Sequence, residues 1–411
     1  MKISRLAPLI SGFASLLFLT HCALPENGPG WLHQGWAGEG LTVRRAESAV
    51  ANRSLFNTAV GFNVPRQAGS LNDTARVLGG LAPSGGDFFT DVRNSGAWAA
   101  HKGKLDQMWS DFAWRHEQPI RSWAAGSIGD MQSTNALFYP FSGPDFLFAQ
   151  TFFPRAETVV LCGLEPCEPL PPLSELSAGE IANGLSGLQT ALSTVMQFSF
   201  FITKDMRNDL VSTRFRGVLP VILTFMARSG HRVDSIDLVA LDGNGNPGVI
   251  AGNGGAAPGA LIRCVGPDGR PKRVFYFRQD LSNESLHAGS PLLRFVSSLG
   301  SPPAFTKSAS YLMHEGGFSV IRDYLLRNSR GLVQDPSGVP YRHLLGAGWN
   351  VQLYGNYRGT LDIFSSHHQD DLIAAYRAGK AQPLNFGIGY MYEPDRTCLM
   401  VGRPGRAMAA Q

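Results

Sequence analysis

The sequence predicts an α/β fold of the mixed (α+β) kind, built around a central mixed sheet. Residues 136–141 and 158–164 are apolar runs on either side of a helical segment at 146–153, which is the order of a βαβ unit. Residues 175–210 carry helical periodicity and predict a helical insertion. A hairpin turn at 266–269 indicates a more antiparallel C-terminal half. It is followed by a helix predicted over 311–326 and by short strands predicted over 349–354, 386–392 and 398–401.

The composition is that of a globular protein with a low charge density. Hydrophobic residues make up 44% of the 411 residues and charged residues only 17%, which excludes a disordered chain. The formal net charge is +4, and no run of Lys or Arg is present. A nucleic-acid-binding surface would need such a basic patch, so no nucleic-acid partner is expected.

The first 22 residues have the pattern of an export signal. Lys2 and Arg5 precede an uncharged apolar run at 6–19, which is too short to span a bilayer. Cys22 stands where a bacterial lipoprotein carries its lipid, although His21 replaces the usual small residue before it. The sequence therefore predicts a protein of the periplasm or cell envelope that contacts a membrane only through its N-terminus. The alternative is an ordinary buried N-terminal helix.

The rest of the chain is predicted to form one compact α/β body with a short arm before it. Residues 23–43 are rich in Gly, Pro and Trp and indicate a tether or arm. Residues 44–411 follow as a single body. The Pro-rich stretch 168–173 and the turn-rich stretch 242–260 are the places where this body could be subdivided.

Four cysteines remain once Cys22 is set aside. An even number in an oxidising compartment allows two disulfides, with a local bridge between Cys162 and Cys167 and a long-range bridge between Cys264 and Cys398. The alternative is four buried free thiols. No second cysteine pair and no histidine lie near Cys162 and Cys167, which argues against a zinc site.

The turn Ser142-Gly143-Pro144-Asp145 is the first candidate ligand site. It lies between the first strand and its helix, where free backbone N–H groups and the positive helix end favour an anion. Glu165 follows the second strand, where an acid can hold a ribose hydroxyl. The alternative is a helix cap made by Ser142 or Asp145, with Gly143 required for the turn.

Residues 136–165 resemble the first βαβ unit of a Rossmann-like or class I methyltransferase domain. The resemblance covers about 30 residues and rests on the strand–turn–helix–strand order and on Glu165. It implies a nucleotide-type cofactor on the turn. Only Gly143 of the three fingerprint glycines is present, and Pro144 removes one N–H donor.

The densest cluster of metal-ligating side chains follows Ser365 and Ser366. His367, His368, Asp370 and Asp371 lie within five residues, and His367 shares a helix face with the two aspartates. The cluster is a candidate for acid–base chemistry or for a metal bound by His367, His368 and Asp371, with further ligands from distant residues. The alternative is a helix start capped by a serine, with both aspartates at its positive end.

Two other polar segments in the C-terminal third carry weaker signals. His314-Glu315 and His343 have no supporting spacing. The loop 335–342 presents a Tyr-Arg-His edge that could contact a ligand, although most such loops are simply exposed connections.

Three functions are compatible with these patterns, and no particular cofactor is indicated. The first is an envelope protein that binds a small molecule or an envelope component through Ser142, Gly143, Asp145 and Glu165. The second is an extracytoplasmic hydrolase or transferase, with Asp145, Glu165, His367 and Asp371 as the candidate catalytic residues. The third is a methyltransferase-like enzyme whose N-terminus only resembles a signal.

Overall fold

The computed structural model describes residues 71–200, 203–250 and 258–405. The predicted export signal 1–22, the arm 23–43 and Cys22 lie outside the described residues. The strands in the described part of the chain are β1 Ala136–Tyr139, β2 Thr158–Gly163, β3 Arg232–Leu241, β4 Pro247–Val249, β5 Gly259–Val265, β6 Pro271–Arg278, β7 Ala304–Thr306, β8 Leu332–Gln334, β9 Trp349–Gly355, β10 Ala381–Gln382 and β11 Cys398–Pro404.

Helices precede, interrupt and follow these strands. The first nine helices of the described residues are α1 Leu71–Leu78, α2 Asp87–Asn94, α3 Gly96–Phe112, α4 Gln118–Ser127, α5 Gly129–Gln132, α6 Phe146–Phe152, α7 Ala178–Phe198, α8 Thr203–Val211 and α9 Leu219–Arg228. A π-helical segment, Ala113–Glu117, joins α3 to α4. The later helices are α10 Pro291–Ser298, α11 Ser319–Asn328, α12 Tyr341–Gly346 and α13 Asp370–Arg377.

All of these strands form one mixed sheet, which confirms the predicted fold class. Its order is β10-β9-β11-β8-β7-β1-β2-β6-β5-β3-β4. The βαβ unit is present as predicted, because β1 and β2 are parallel neighbours joined by α6. Helices α7 to α9 form the insertion after it. The pairs β5–β6, β3–β5 and β9–β11 are antiparallel, whereas β7 pairs in parallel with both β1 and β8.

The two faces of the sheet belong to separate hydrophobic cores. Leu137 and Tyr139 of β1 join the core formed with α1, α3, α4, α6, α7 and α9. Phe138, between them, joins the core on the other face with α10 and α11. Because successive side chains of a strand point to opposite faces, a strand covered on both sides is apolar throughout. This explains the uninterrupted apolar run at β1.

The sheet has a topological switch point between β1 and β7. From β1 the chain crosses through α6, on one face, to β2 on one side. From β7 it crosses through α11, on the other face, to β8 on the opposite side. In open α/β sheets, ligands bind beyond the carboxyl ends of the strands at such a point. The loops after β1, β7 and β8 are therefore where a site is expected.

Three predicted elements differ from the structure. The helix predicted over 175–210 is broken, because Ser199 ends α7 in the left-handed conformation. The helix predicted over 311–326 begins only at Ser319, since Tyr311 is left-handed and the tandem glycines 316–317 form a 3₁₀ turn. The strand predicted over 386–392 is absent; this segment folds back so closely that a Cβ on Gly387 would collide with the carbonyl of Tyr392.

The four described cysteines are buried free thiols rather than two disulfides. Cys162 and Cys167 belong to the cores on opposite faces of the sheet. Cys264 on β5 and Cys398 on β11 are six strand positions apart, roughly 29 Å at about 4.8 Å per strand. A disulfide needs Cα atoms within about 7 Å, so this fold does not allow the long-range bridge. Burial raises the pKa of the Cys167, Cys264 and Cys398 thiols to about 12.

No helix among the described residues is both long enough and apolar enough to cross a bilayer.

Candidate functional site

The Ser142-Gly143 turn is bound to the neighbouring strand. The Ser142 hydroxyl lies 3.0 Å from the N–H of Cys162, from which it accepts, and 3.1 Å from the Cys162 carbonyl. The Gly143 N–H donates to that same carbonyl at 2.9 Å. These groups replace the ladder bonds that end with β1. They leave neither the hydroxyl nor the Gly143 N–H free to hold an anion.

Asp145 caps helix α6 from a buried position. Its Oδ1 accepts from the N–H of Phe148 at 3.0 Å, which is the expected role of an N-cap carboxylate. Its Oδ2 accepts from the Tyr139 hydroxyl at 2.9 Å and lies 3.0 Å from the Lys307 ammonium. Both charged side chains are only 2% exposed, so this ion pair is sealed from solvent.

Lys307 directly follows β7 and reaches across the switch point to Asp145. Its ammonium also donates to the backbone carbonyl of Ser199 and lies 4.2 Å from the ring centre of Phe148. A buried cation needs such partners because desolvation alone would neutralise it. The place where the fold would accept a ligand is therefore filled by the chain's own ion pair.

Glu165 has a structural partner as well. The Tyr276 hydroxyl donates to its backbone carbonyl at 2.8 Å and lies 3.1 Å from its Oε2. A Cβ on Gly163 would collide with this carboxylate and lie 2.9 Å from the Cα of Gly143, so this position requires glycine. The first candidate site therefore consists of residues that lie close together but are packed inside the protein, namely Ser142, Gly143, Asp145 and Glu165.

The second candidate cluster opens onto a cavity of about 410 Å³, here called the histidine cavity. It lies at the same edge of the sheet, in loops that follow β7, β8 and β9. The titratable residues that line it are His314, Glu315, Arg342, His367, His368, Asp370 and Asp371. The structure therefore joins the predicted His367 cluster to His314 and Glu315, and it leaves Asp145 and Glu165 outside this cavity.

His367 is paired with a carboxylate from another loop. Its Nδ1 lies 3.6 Å from Oε1 of Glu315, which is too long for a hydrogen bond and would be an ion pair only with a protonated imidazole. The side chain of His367 is 13% exposed and that of Glu315 is 61% exposed. Burial lowers the pKa of His367, and the Glu315 charge opposes this shift only in part. The imidazole is consequently neutral at pH 7 and can accept a proton.

His314 forms the second imidazole wall of the cavity. Its ring centre lies 5.5 Å from that of His367, nearly at a right angle. Burial, and to a smaller extent the nearby His367, lowers the pKa of His314 to about 3. Its Nε2 is buried and has no hydrogen-bond partner. Buried polar atoms usually have one, so this nitrogen is a candidate to bind a ligand.

Carboxylates outnumber fixed cations around the histidine cavity. Glu315, Asp370 and Asp371 face a single arginine, Arg342, since the partly buried imidazoles of His314 and His367 are neutral at pH 7. Within the described part of the chain, no group of three or more His, Cys, Asp or Glu side chains is arranged to hold a metal ion. The lining therefore suits a neutral or positively charged polar ligand.

A second layer of polar residues lies behind the cavity. The ring of Tyr311 stacks on His367, with centroids 5.4 Å apart and planes 5° apart. Tyr390 lies parallel to Tyr311 at 6.3 Å, and its hydroxyl donates to the Ser308 carbonyl at 2.9 Å. Asp335, at the end of β8, is fully buried and accepts from the Ser308 N–H at 2.9 Å. Its pKa is raised by burial.

Sequence reasoning missed Lys307 and Tyr311. A three-residue strand such as β7 is too short to show a period, and the surrounding segment carries partly helical spacing. The one available signal was a lysine immediately after the short run Ala304-Phe305-Thr306, because an isolated cation beside a buried strand needs a partner.

Searches of protein-family models, curated proteins and solved structures found no match to this chain.

Proposed function

We propose that the protein is an exported envelope protein that binds a small, neutral or positively charged polar molecule in the histidine cavity. The observation that carries this proposal is the pair of neutral imidazoles, His314 and His367, at the wall of an open cavity with excess carboxylate. Polar ligand sites combine a concave surface with a few converging polar groups. This cavity has both, and it lies at the carboxyl edge of the parallel strands.

The proposed ligand site differs from the one favoured by the sequence alone. The turn at Ser142 and Gly143 has its hydroxyl and N–H groups bonded to the backbone of β2. The histidine cavity instead offers an unpartnered Nε2 on His314 and a carboxylate-paired imidazole on His367. The unpaired Nε2 is buried in a residue that lines the cavity, so a ligand that reaches it can complete its missing hydrogen bond.

A ligand of this class should perturb the two cavity histidines and depend on His367. The full chain is titrated with glucose, glucosamine, lysine and arginine, and with the anions glutamate and glucose 6-phosphate, while the histidine Cε1–H signals are recorded by NMR. We expect one of the first four compounds to shift the His314 and His367 signals. The substitution His367→Asn should weaken that binding about tenfold, or roughly 1.4 kcal/mol, because a buried hydrogen bond is lost.

The matched control is His287→Asn, which alters an exposed histidine outside the cavity. It should bind like the wild type. Binding of only the two anions, or equal binding by the His367→Asn variant, would contradict the proposed site.

The pairing of His367 with Glu315 favours a second candidate, a hydrolase or transferase that uses His367 as a general base. A neutral imidazole can take up a proton, and the Glu315 carboxylate nearby would stabilise the charge that forms. The same titration separates the two functions, because an enzyme would also produce new signals from a product over hours. Unchanged ligand spectra would favour binding without catalysis.

Export and lipid anchoring are tested separately at the N-terminus. The basic start, the uncharged run at 6–19 and Cys22 support cleavage before a lipidated cysteine. We expect the protein from a bacterial membrane fraction to begin at Cys22 and to carry an added lipid mass. The variant Cys22→Ser should be recovered in the soluble fraction. A mature chain that still begins at Met1 would overturn the export proposal.

A further inference from the structure

The segment behind the histidine cavity has an unusual backbone. Ser308, Ser310 and Tyr311 have φ values of 54°, 51° and 56°, so three residues within four positions are left-handed. Residues with a Cβ rarely adopt this conformation because the Cβ approaches the following carbonyl oxygen. Only six non-glycine residues in the described part of the chain have positive φ, and half of them lie here.

This backbone is held in place by contacts from two other loops. The Ser308 N–H donates to Asp335, and the Ala309 N–H donates to the Ser337 hydroxyl at 2.7 Å. On the other side, the Tyr390 hydroxyl donates to the Ser308 carbonyl and lies 3.0 Å from the Ser310 hydroxyl. Strained residues persist only where their surroundings fix them in this way.

Unsatisfied polar atoms lie in this segment and on both sides of it. The hydroxyls of Thr306 and Ser308 and the Nε2 of His314 are buried without hydrogen-bond partners. Both the strain and the missing hydrogen bonds cost stability. Strained residues and unsatisfied polar groups of this kind cluster at functional sites, where they contribute to pre-organisation.

What the strained backbone achieves is the placement of one ring. Tyr311 lies parallel to His367 in an offset stack, and its ring meets His314 at 78° with centroids 5.0 Å apart. The ring therefore supports both cavity imidazoles from behind. A right-handed Tyr311 would direct its side chain elsewhere, since the direction of Cβ follows the backbone conformation.

We infer that the left-handed segment from Ser308 to Tyr311 is a pre-organised positioning element, which uses the Tyr311 ring to hold His314 and His367 in the geometry that binds the ligand. Tyr311 is the positioning residue, and Asp335, Ser337 and Tyr390 hold its backbone. The purpose of this element rests on the proposed function of the cavity. Its strain and its effect on His367 are properties of the ligand-free protein and are tested there.

The substitution Ser308→Gly tests the inference, because glycine adopts positive φ freely and the Ser308 hydroxyl has no partner to lose. We expect the Tm of the variant to rise by about 2 °C as strain is released. Glycine also lets the segment sample other conformations, so in the same ligand-free sample the His367 Cε1–H signal should move toward its position in Tyr311→Leu, which lacks the ring. Affinity for the compound that binds the wild type should fall severalfold.

Two further variants isolate the cause. Ser308→Ala removes the unpartnered hydroxyl but keeps the Cβ, so it should leave the His367 signal in place. Ser329→Gly alters a buried serine with an ordinary φ of −95°, and it should lower Tm through the entropy of the unfolded chain.

The inference is overturned if Ser308→Gly lowers Tm as Ser329→Gly does, or if the His367 signal does not move. If no compound binds even the wild type while both ligand-free results hold, the positioning element stands and the proposed ligand class fails.

Discussion

Replacing Lys307 by methionine is expected to lower the free energy of unfolding by about 3–5 kcal/mol, the usual cost of removing one member of a buried ion pair. Lys307 and Asp145 lie 3.0 Å apart and are each 2% exposed, so water cannot replace the lost ammonium. Asp145 would keep its bonds to Tyr139 and to the N–H of Phe148, but its charge would be uncompensated. Denaturant unfolding of the full chain, followed by circular dichroism, measures the change.

A double-mutant cycle shows whether the ion pair is responsible. The double variant Lys307→Met with Asp145→Asn removes both charges and should recover part of the lost stability, because no charge is left unpaired. The matched control is Lys102→Met, which breaks an exposed pair with Asp106 whose side chains are 45% and 40% exposed. It should cost about 1 kcal/mol or less. A loss from Lys307→Met as small as in the control would show that the pair is not important for the fold.

Acid is expected to destabilise the protein from pH 6.5 downward, well above the range in which carboxylates titrate. Burial lowers the pKa of His116 and His231 to about 4 and that of His314 to about 3. Below pH 6.5 the unfolded chain therefore takes up protons that the folded protein does not. Stability rises with pH wherever the unfolded state binds more protons, so it must fall as pH drops from 6.5 to about 4.

The slope of the unfolding free energy against pH measures how many histidines contribute to this loss of stability. Each one should remove up to about 1.4 kcal/mol per pH unit in the middle of this window. Asp335 opposes this loss of stability. Burial raises its pKa, so on acidification it takes up a proton at a higher pH in the folded protein than in the unfolded chain. Unfolding free energies at pH 7.0, 6.0, 5.0 and 4.5 give the slope.

The variant His231→Phe assigns one of these contributions. Its ring would retain the contact with Phe146, now 5.2 Å between centroids, and the Nε2 that it removes has no partner. The bond between Nδ1 and the Ser229 hydroxyl is lost as well. The slope of the unfolding free energy against pH should decrease by about 1.4 kcal/mol per pH unit, which corresponds to one proton. The control Phe275→Leu alters a buried ring that packs on Phe277 and Phe295, so it should lower stability equally at every pH and leave the slope unchanged. A stability that does not vary between pH 6.5 and 4.5 would contradict the assignment.

The parts of the fold that the sequence predicted are those governed by local pattern. The run at β1 is apolar at every position because both faces are covered, and Pro154 ends the helix that follows. The hairpin of β5 and β6 was recognisable from its Gly-Pro-Asp-Gly turn. Strands of three residues, such as β7 and β8, escaped prediction because so short a segment shows no period.

The candidate site was predictable only in part, for a related reason. His367, His368 and Asp371 are neighbours in the sequence, so their clustering was visible. His314 and Glu315 reach the same cavity from a loop about 50 residues earlier, and no local spacing relates the two groups. In the helix predicted over 311–326, His314 would lie on the surface of a regular helix. The left-handed backbone at Tyr311 gives it a different position.

The sequence by itself determined the class of fold, the βαβ unit and the residues from which a site could be built, because hydrophobic period and turn chemistry act over a few neighbouring residues. Only the tertiary structure decided which of those residues are free to act. Ser142, Asp145 and Glu165 are held by partners from β1, β2, β6 and the residue after β7. His314 and His367 remain at an open cavity. Partners that are distant in sequence satisfy the polar groups of the first candidate site, whereas the two cavity histidines remain available. This long-range pairing follows from the topology of the sheet.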